Sequence, residues 1–138
     1  MRYHDFHLRE YQVSDFGKRV ALHLEYDCAG KPREESHIEF ADVALYNFTH
    51  TGRAIITDIE ETALVDLFRE VGGSLVNWNT QHGVAGWKTT IEDFRVTLES
   101  AGLKAWRIDS AIGLSGFVVA RSVRQVAPNT SFERTREG

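Results

Sequence analysis

Few residues that could do chemistry stand at the spacings chemistry needs. His4 and His7, in "YHDFHLREY", have the H-x-x-H interval that brings two imidazoles onto one metal when the backbone is helical. The residues around them suit a strand, where positions i and i+3 face opposite ways, so no shared ion is expected. Cys28 is the single cysteine. It excludes an intramolecular disulfide and suits a reducing compartment. It has no His or Cys at ligand spacing, and a catalytic thiol would need a base brought to it by the fold. Ser115 in "GLSG" lacks the second glycine of a nucleophile elbow and sits between two strand-like runs, where it reads as a turn residue. No phosphate-binding loop, dinucleotide glycine pattern or H-E-x-x-H occurs. The expectation is no catalytic residue, no metal and no cofactor.

One constellation could bind a ligand, and its existence depends on strand register. "RVALHLEYD" (19–27) alternates strictly, with Val20, Leu22, Leu24 and Tyr26 on one face and Arg19, His23, Glu25 and Asp27 on the other. "YHDFHLREYQV" precedes it as a second β candidate, and Asp15-Phe16-Gly17 fits a three-residue hairpin loop with glycine in the left-handed position. Pairing Ser14 with Lys18 sets Phe6 against Tyr26 and Leu8 against Leu24 on the core side. It also sets His7 opposite Glu25, and Arg9 opposite His23, on the outer face. Glu25 could then orient His7 for acid–base work. Ordinary cross-strand pairs on a solvated face account for the same residues.

The carboxylates Asp58, Glu60 and Glu61 stand where a β-like run meets a helix-like one. Leu64, Leu67, Phe68, Val71, Leu75 and Trp78 form one helical stripe that Ile59 does not join. The strand therefore runs to about Ile59, the helix begins near Thr62, and Glu60 and Glu61 precede or open it, at its positive dipole end. An Asp58…Glu61 capping box is the competing arrangement. The stripe crosses Gly72-Gly73, either as a kinked helix towards His82 or as two helices. "HGVAGWK" is a loop in which Trp87 could be an exposed anchor. "TTIEDFRVTLESAG" starts a further helix, with Thr89 and Glu92 at capping-box spacing and Gly102 at the C-cap.

Elsewhere "HIEFADVALYNF" (37–48) is a strand with a bulge near Asp42, and "THTG" turns into a fourth strand, "RAIITDI". "LKAWRIDS" and "GFVVARSV" are closing strands joined through "AIGLSG". The order β-β-β-β-α(α)-α-β-β predicts an α+β fold: an antiparallel sheet of about six strands with helices packed on one face. With 138 residues and 42% hydrophobic content the chain is read as a single domain over 1–123. A disordered tail is predicted over 124–138.

The net charge is −4. The tail holds three Arg and two Glu, so the remaining 13 basic and 18 acidic residues give the body −5. That balance disfavours nucleic acid, which needs a basic footprint. No apolar run approaches the roughly 18 residues of a membrane span, and no secretory h-region is present. A cytoplasmic protein is expected.

"SDFGKRVALHLEY", "IEFADVALYNF", "AIITDIEE" and "LKAWRIDSAIGLSGFVVARSV" resemble a group of small uncharacterised bacterial α+β proteins, a domain of unknown function, over about residues 4–123. Some small acidic proteins of this build are immunity proteins that neutralise a toxin, so the resemblance implies a protein partner at the level of fold. It assigns no residue a role. The tail resembles a C-terminal stretch met on unrelated bacterial reading frames, which implies an appendage.

Two functions are therefore carried forward. The first is a non-catalytic macromolecule-binding protein of immunity or regulatory type. A basic protein partner would meet the acidic helix face at Asp66 and Glu70, with Trp87 as an anchor. The alternative is a small-ligand-binding protein or enzyme using the sheet face at His7, Arg9, His23 and Glu25. The absence of an assembled nucleophile, metal set or phosphate loop favours the first. Oligomeric state is left open.

Overall fold

The computed structural model describes residues 2–27, 30 and 32–126. Cys28 lies outside them, as does the predicted tail from residue 127. Six strands and two helices follow in the order β1 (Arg2–Ser14), β2 (Arg19–Tyr26), β3 (Glu34–Ala41), β4 (Leu45–Thr62), α1 (Leu64–His82), α2 (Ile91–Ser100), β5 (Lys104–Ala120) and β6 (Ser122–Val126). The sheet order is β5-β4-β1-β2-β3-β6, every pair antiparallel. The fold is broadly α+β, as the patterning predicts.

The sheet's two edge strands, β5 and β6, are separated in the chain by Arg121 alone. The sheet must therefore curl into a half-barrel that brings its edges together. Arg121 N–H donates to the Ala41 carbonyl (3.1 Å) and Ala44 N–H to that of Val119 (2.8 Å), tying both ends to the β3–β4 corner. Side chains from opposite walls fill the curl: Val20, Leu22 and Leu24, Ile38 and Phe40, Ile56, Trp106, Ile108 and Val118 are all buried. A second cluster joins Leu67, Phe68 and Leu75 of α1 and Phe94 and Leu98 of α2 to Ala105, Phe117 and Val119 of β5. Alternate residues of β5 thus enter different cores, which is why "GFVVA" reads as a continuous apolar run.

Several predicted boundaries are corrected. "THTG" and "AIGLSG" are not turns but matching irregular stretches of two long paired strands, with His50 opposite Leu114 and Ile55 opposite Ile112. The true corner lies at residues 42–44, where Asp42 adopts φ +54°, in place of the expected bulge. β6 runs to Val126, so residues 124–126 belong to the sheet and not to a tail. Glu60 and Glu61 precede the helix and do not open it: β4 runs past Ile59 to Thr62, and they lie on it opposite Arg107 and Trp106. Ala63 is the N-cap of α1, without a side-chain cap bond. The cap of α2 is Thr90, one residue later than expected, and its hydroxyl accepts from the Asp93 N–H.

α1 passes Gly72-Gly73 without a break. A Cβ on Gly72 would stand 3.3 Å from Ile91 Cδ1, so that glycine permits the close approach of α2. A Cβ on Gly73 would meet nothing within 4 Å. Gly73→Ala is expected to raise stability by about 0.5–1 kcal/mol, through helix propensity and reduced unfolded-state freedom. Urea denaturation checks this, and a loss of stability would contradict it.

Candidate functional site

The β1–β2 hairpin places His7 opposite Glu25 and Leu8 opposite Leu24, as the patterning predicts. Near the turn, however, Ser14 pairs with Arg19, not Lys18, and the turn has four residues. A bulge between Leu8 and Glu10 absorbs the difference, so Glu10 and not Arg9 stands opposite His23.

That exchange reorganises the predicted ligand face. His23 is buried, with 5% of its surface exposed. Its Nδ1 lies 2.8 Å from Glu10 Oε1, and its ring stacks on that of His37 at 4.3 Å. His7 Nδ1 accepts from Arg53 Nε (3.2 Å), Arg9 lies 3.6 Å from Glu35, and Glu25 is 2.6 Å from Arg33. The four residues share a face, yet each has a different neighbour as its polar partner. Among the described residues no group of three His, Cys, Asp or Glu side chains could hold a metal ion.

Burial, followed by the charge of His23, lowers the His37 pKa below its ordinary value. Glu35 and Glu10 oppose this and Arg9 adds to it. A histidine that stays neutral in the fold is protonated first in the unfolded chain. Stability is therefore whole above the ordinary His pKa near 6.5 and declines as pH falls from there towards the folded-state value. His37→Asn is expected to flatten that decline, as read by urea melts at pH values on either side of 6.5.

A different feature has the form of a binding site. β1 pairs with β4 at Arg2–Asp58, Phe6–Ile56 and His7–Ile55, and among the described residues the ladder stops there. The bulge at Arg9 bends β1, and β4 is irregular between His50 and Ile55, with Gly52 at φ +120°. Beyond that point residues 8–14 of β1 and 45–54 of β4 have no ladder to each other, and side chains alone meet across the split, Tyr11 lying 5.8 Å from His50. The opening continues under the C-terminal end of α1 as a groove of about 950 Å³. Tyr11, Tyr46, Phe48 and Trp78 line it, with Phe16 and Val13 at the hairpin. Tyr11 meets Phe48 edge to face at 4.9 Å, and Tyr46 lies 5.9 Å from Phe48. Tyr46 is 39% exposed, Val13 40% and Phe16 100%.

Phe16 is held there against local preference. Asp15, Phe16 and Gly17 all have positive φ (+53°, +57° and +85°). The left-handed conformation costs a non-glycine residue about 1–2 kcal/mol. Gly17 N–H donates to the Ser14 carbonyl and Lys18 N–H to that of Asp15, closing the turn. The sequence signal for it is the aromatic residue inside the "SDFGK" turn.

Of the residues expected to meet a partner, Asp66 pairs with Arg69 (3.2 Å) and Glu70 with Arg107 (2.6 Å). Trp87 is partly buried, stacks on Phe94 at 5.1 Å and donates its indole N–H to the Thr89 carbonyl (2.9 Å). The structure brings none of the three into the groove.

The molecule is thus an α+β protein built on a curled six-stranded antiparallel sheet, split between β1 and β4. No family model matches the sequence. No curated protein matches it either. A solved structure of an uncharacterised protein from Neisseria gonorrhoeae is similar at 12% identity, covering 91% of this chain and 93% of that one, with a TM-score of 0.48. No helix among the described residues is long and apolar enough to cross a membrane.

Proposed function

We propose that the protein is a non-catalytic macromolecule-binding protein of the bacterial cytoplasm, of immunity or regulatory type, and that the groove beside Phe16 is its recognition surface. The observation that carries this reading is a wholly exposed phenylalanine kept in a left-handed backbone at the rim of an aromatic groove. Such an arrangement costs stability, and aromatic anchors are the residues that dominate protein interfaces. The helices pack against β5, and the split between β1 and β4 is lined by apolar and aromatic side chains, of which Val13, Phe16 and Tyr46 are exposed.

The acidic face of α1 is a secondary candidate for meeting a basic partner. Its charges at Asp66 and Glu70 are offset by Arg69 and Arg107, which lowers the field that face presents. The alternative of a small-ligand site or enzyme around His7, Arg9, His23 and Glu25 would require the ion pairs of that face to open.

A photo-crosslinking residue at position 16, compared with one at the exposed Val96 of α2, tests the reading in lysate of the source cell. Specific protein adducts are expected at 16 and not at 96. Phe16→Gly should remove partner binding without lowering the melting temperature, because glycine relieves the positive φ. Equal labelling at both positions, or full binding by Phe16→Gly, would count against the groove.

A further inference from the structure

Building on the reading of the groove as a recognition surface, we infer that its occupant is an extended segment of a partner protein. The segment adds as a β-strand in the split between β1 and β4, with apolar side chains at alternate positions and at least one carboxylate.

Three observations converge on this chemistry. First, the split leaves two strand edges facing it: Leu8 and residues 10–14 of β1 are laddered to β2 on one side only, and 45–50 of β4 to β5 on one side only. An unpaired edge presents a row of N–H and C=O groups, and an added strand satisfies them whatever its side chains. Second, the side chains at the split alternate as a strand's must. Tyr46 and Phe48 stand opposite Val118 and Gly116 on the inner side of the sheet, and Leu45 and Asn47 opposite Val119 and Phe117 on the other. Tyr11 and Val13 stand opposite the buried Leu22 and Val20, on the same inner side as Tyr46 and Phe48. An inserted strand would direct every second side chain towards those rings.

Third, the groove's charge departs from that of the chain. The protein has 20 Asp and Glu against 16 Lys and Arg, yet no described lining residue is Asp or Glu, while Lys18 and His82 both line it. Lys18 sits at the hairpin end and His82 in the last turn of α1. Asp42, at the rim beside Val43, faces Arg121 at 3.9 Å. An apolar groove with a lysine at one end, a histidine donor at the other and no described carboxylate in its lining selects an apolar segment bearing a carboxylate, and disfavours a basic or proline-rich one.

The test pans a displayed library of short random peptides on the full chain. Enriched sequences should alternate apolar residues and carry Asp or Glu. Enrichment of basic, proline-rich or helix-patterned sequences, or no enrichment, would overturn the inference. Synthetic versions of the selected peptides then separate the two levels of the reading. N-methylation at alternate backbone nitrogens should weaken binding by about tenfold or more, because it removes ladder donors. Lys18→Glu should weaken it by a similar factor in low salt. Peptides indifferent to N-methylation but lost with Tyr46→Ala and Phe16→Gly would overturn strand addition while leaving the groove as the site. Peptides unaffected by Tyr46→Ala and Phe16→Gly would overturn the groove itself.

Discussion

Gly113→Ala is expected to destabilise the protein by more than about 3 kcal/mol, which adds a backbone clash to the cost of a left-handed alanine. Gly113 has φ +88°, and a Cβ built on it would stand 2.1 Å from the Arg53 carbonyl oxygen, 2.8 Å from the Arg53 carbonyl carbon and 2.9 Å from Ala54 Cα. All three atoms are backbone, so no rotamer change relieves the overlap. The strands β4 and β5 would have to separate where they bend together. Ser110 is bonded there through its hydroxyl to the backbone of Leu114, whose N–H donates back to Ser110 Oγ at 3.3 Å. Urea denaturation of Gly113→Ala beside Gly73→Ala measures the contrast. The first should fall and the second rise, though both add one methyl group to a glycine. A loss below about 1 kcal/mol for Gly113→Ala would show that the bend adapts easily, since surface changes lie within about half that.

The same bend explains why turn chemistry in the sequence marks strand boundaries where the structure has none. "THTG" and "AIGLSG" carry turn residues, and each alone is a fair turn. Their partnership is non-local: Gly52 and Gly113 serve two long strands that bend at the same place, and no window of sequence contains both. The hairpin was more legible, because strict alternation in 19–27 fixes which residues face the core. His7 opposite Glu25 follows from matching the two faces. Two compensating one-residue errors, at the turn and at Arg9, leave that pairing intact while moving Glu10 onto His23. A bulge does not alter composition, so the burial of His23 could not be anticipated. Nor could the split between β1 and β4, since it depends on where a ladder ends. The helical stripes are readable because they are local, while both starts are displaced: Thr90 caps α2 one residue late, and α1 begins after Ala63 with no side-chain cap. Phe16 was visible but ambiguous, since an exposed aromatic looks like any other turn residue until its neighbours are placed.

Phe40→Ala is expected to cost about 3–5 kcal/mol, the range for truncating a buried phenylalanine, while Phe16→Ala should change stability by no more than about 0.5 kcal/mol. Phe40 is fully buried on β3, flanked by Val20 of β2 and Val123 of β6. Its ring meets Trp106 of β5 at 5.6 Å and 59°. β3 and β5 are not neighbours in the sheet order, so this contact joins opposite walls of the half-barrel. Truncation would open a cavity at the point that holds the curl, and the strand ladders on either side restrict collapse around it. A fall in melting temperature of about 10 °C or more is expected, together with a red shift of tryptophan emission if Trp106 gains water. A loss under about 1 kcal/mol would mean that the walls repack readily, as volume-tolerant cores do. Phe16 supplies the opposite case, a ring of the same size that is 100% exposed on a strained turn. If both outcomes hold, one phenylalanine accounts for the shape of the barrel and the other has no structural work to explain it. The stability-neutral loss of partner binding on removing Phe16 would then assign that ring to recognition.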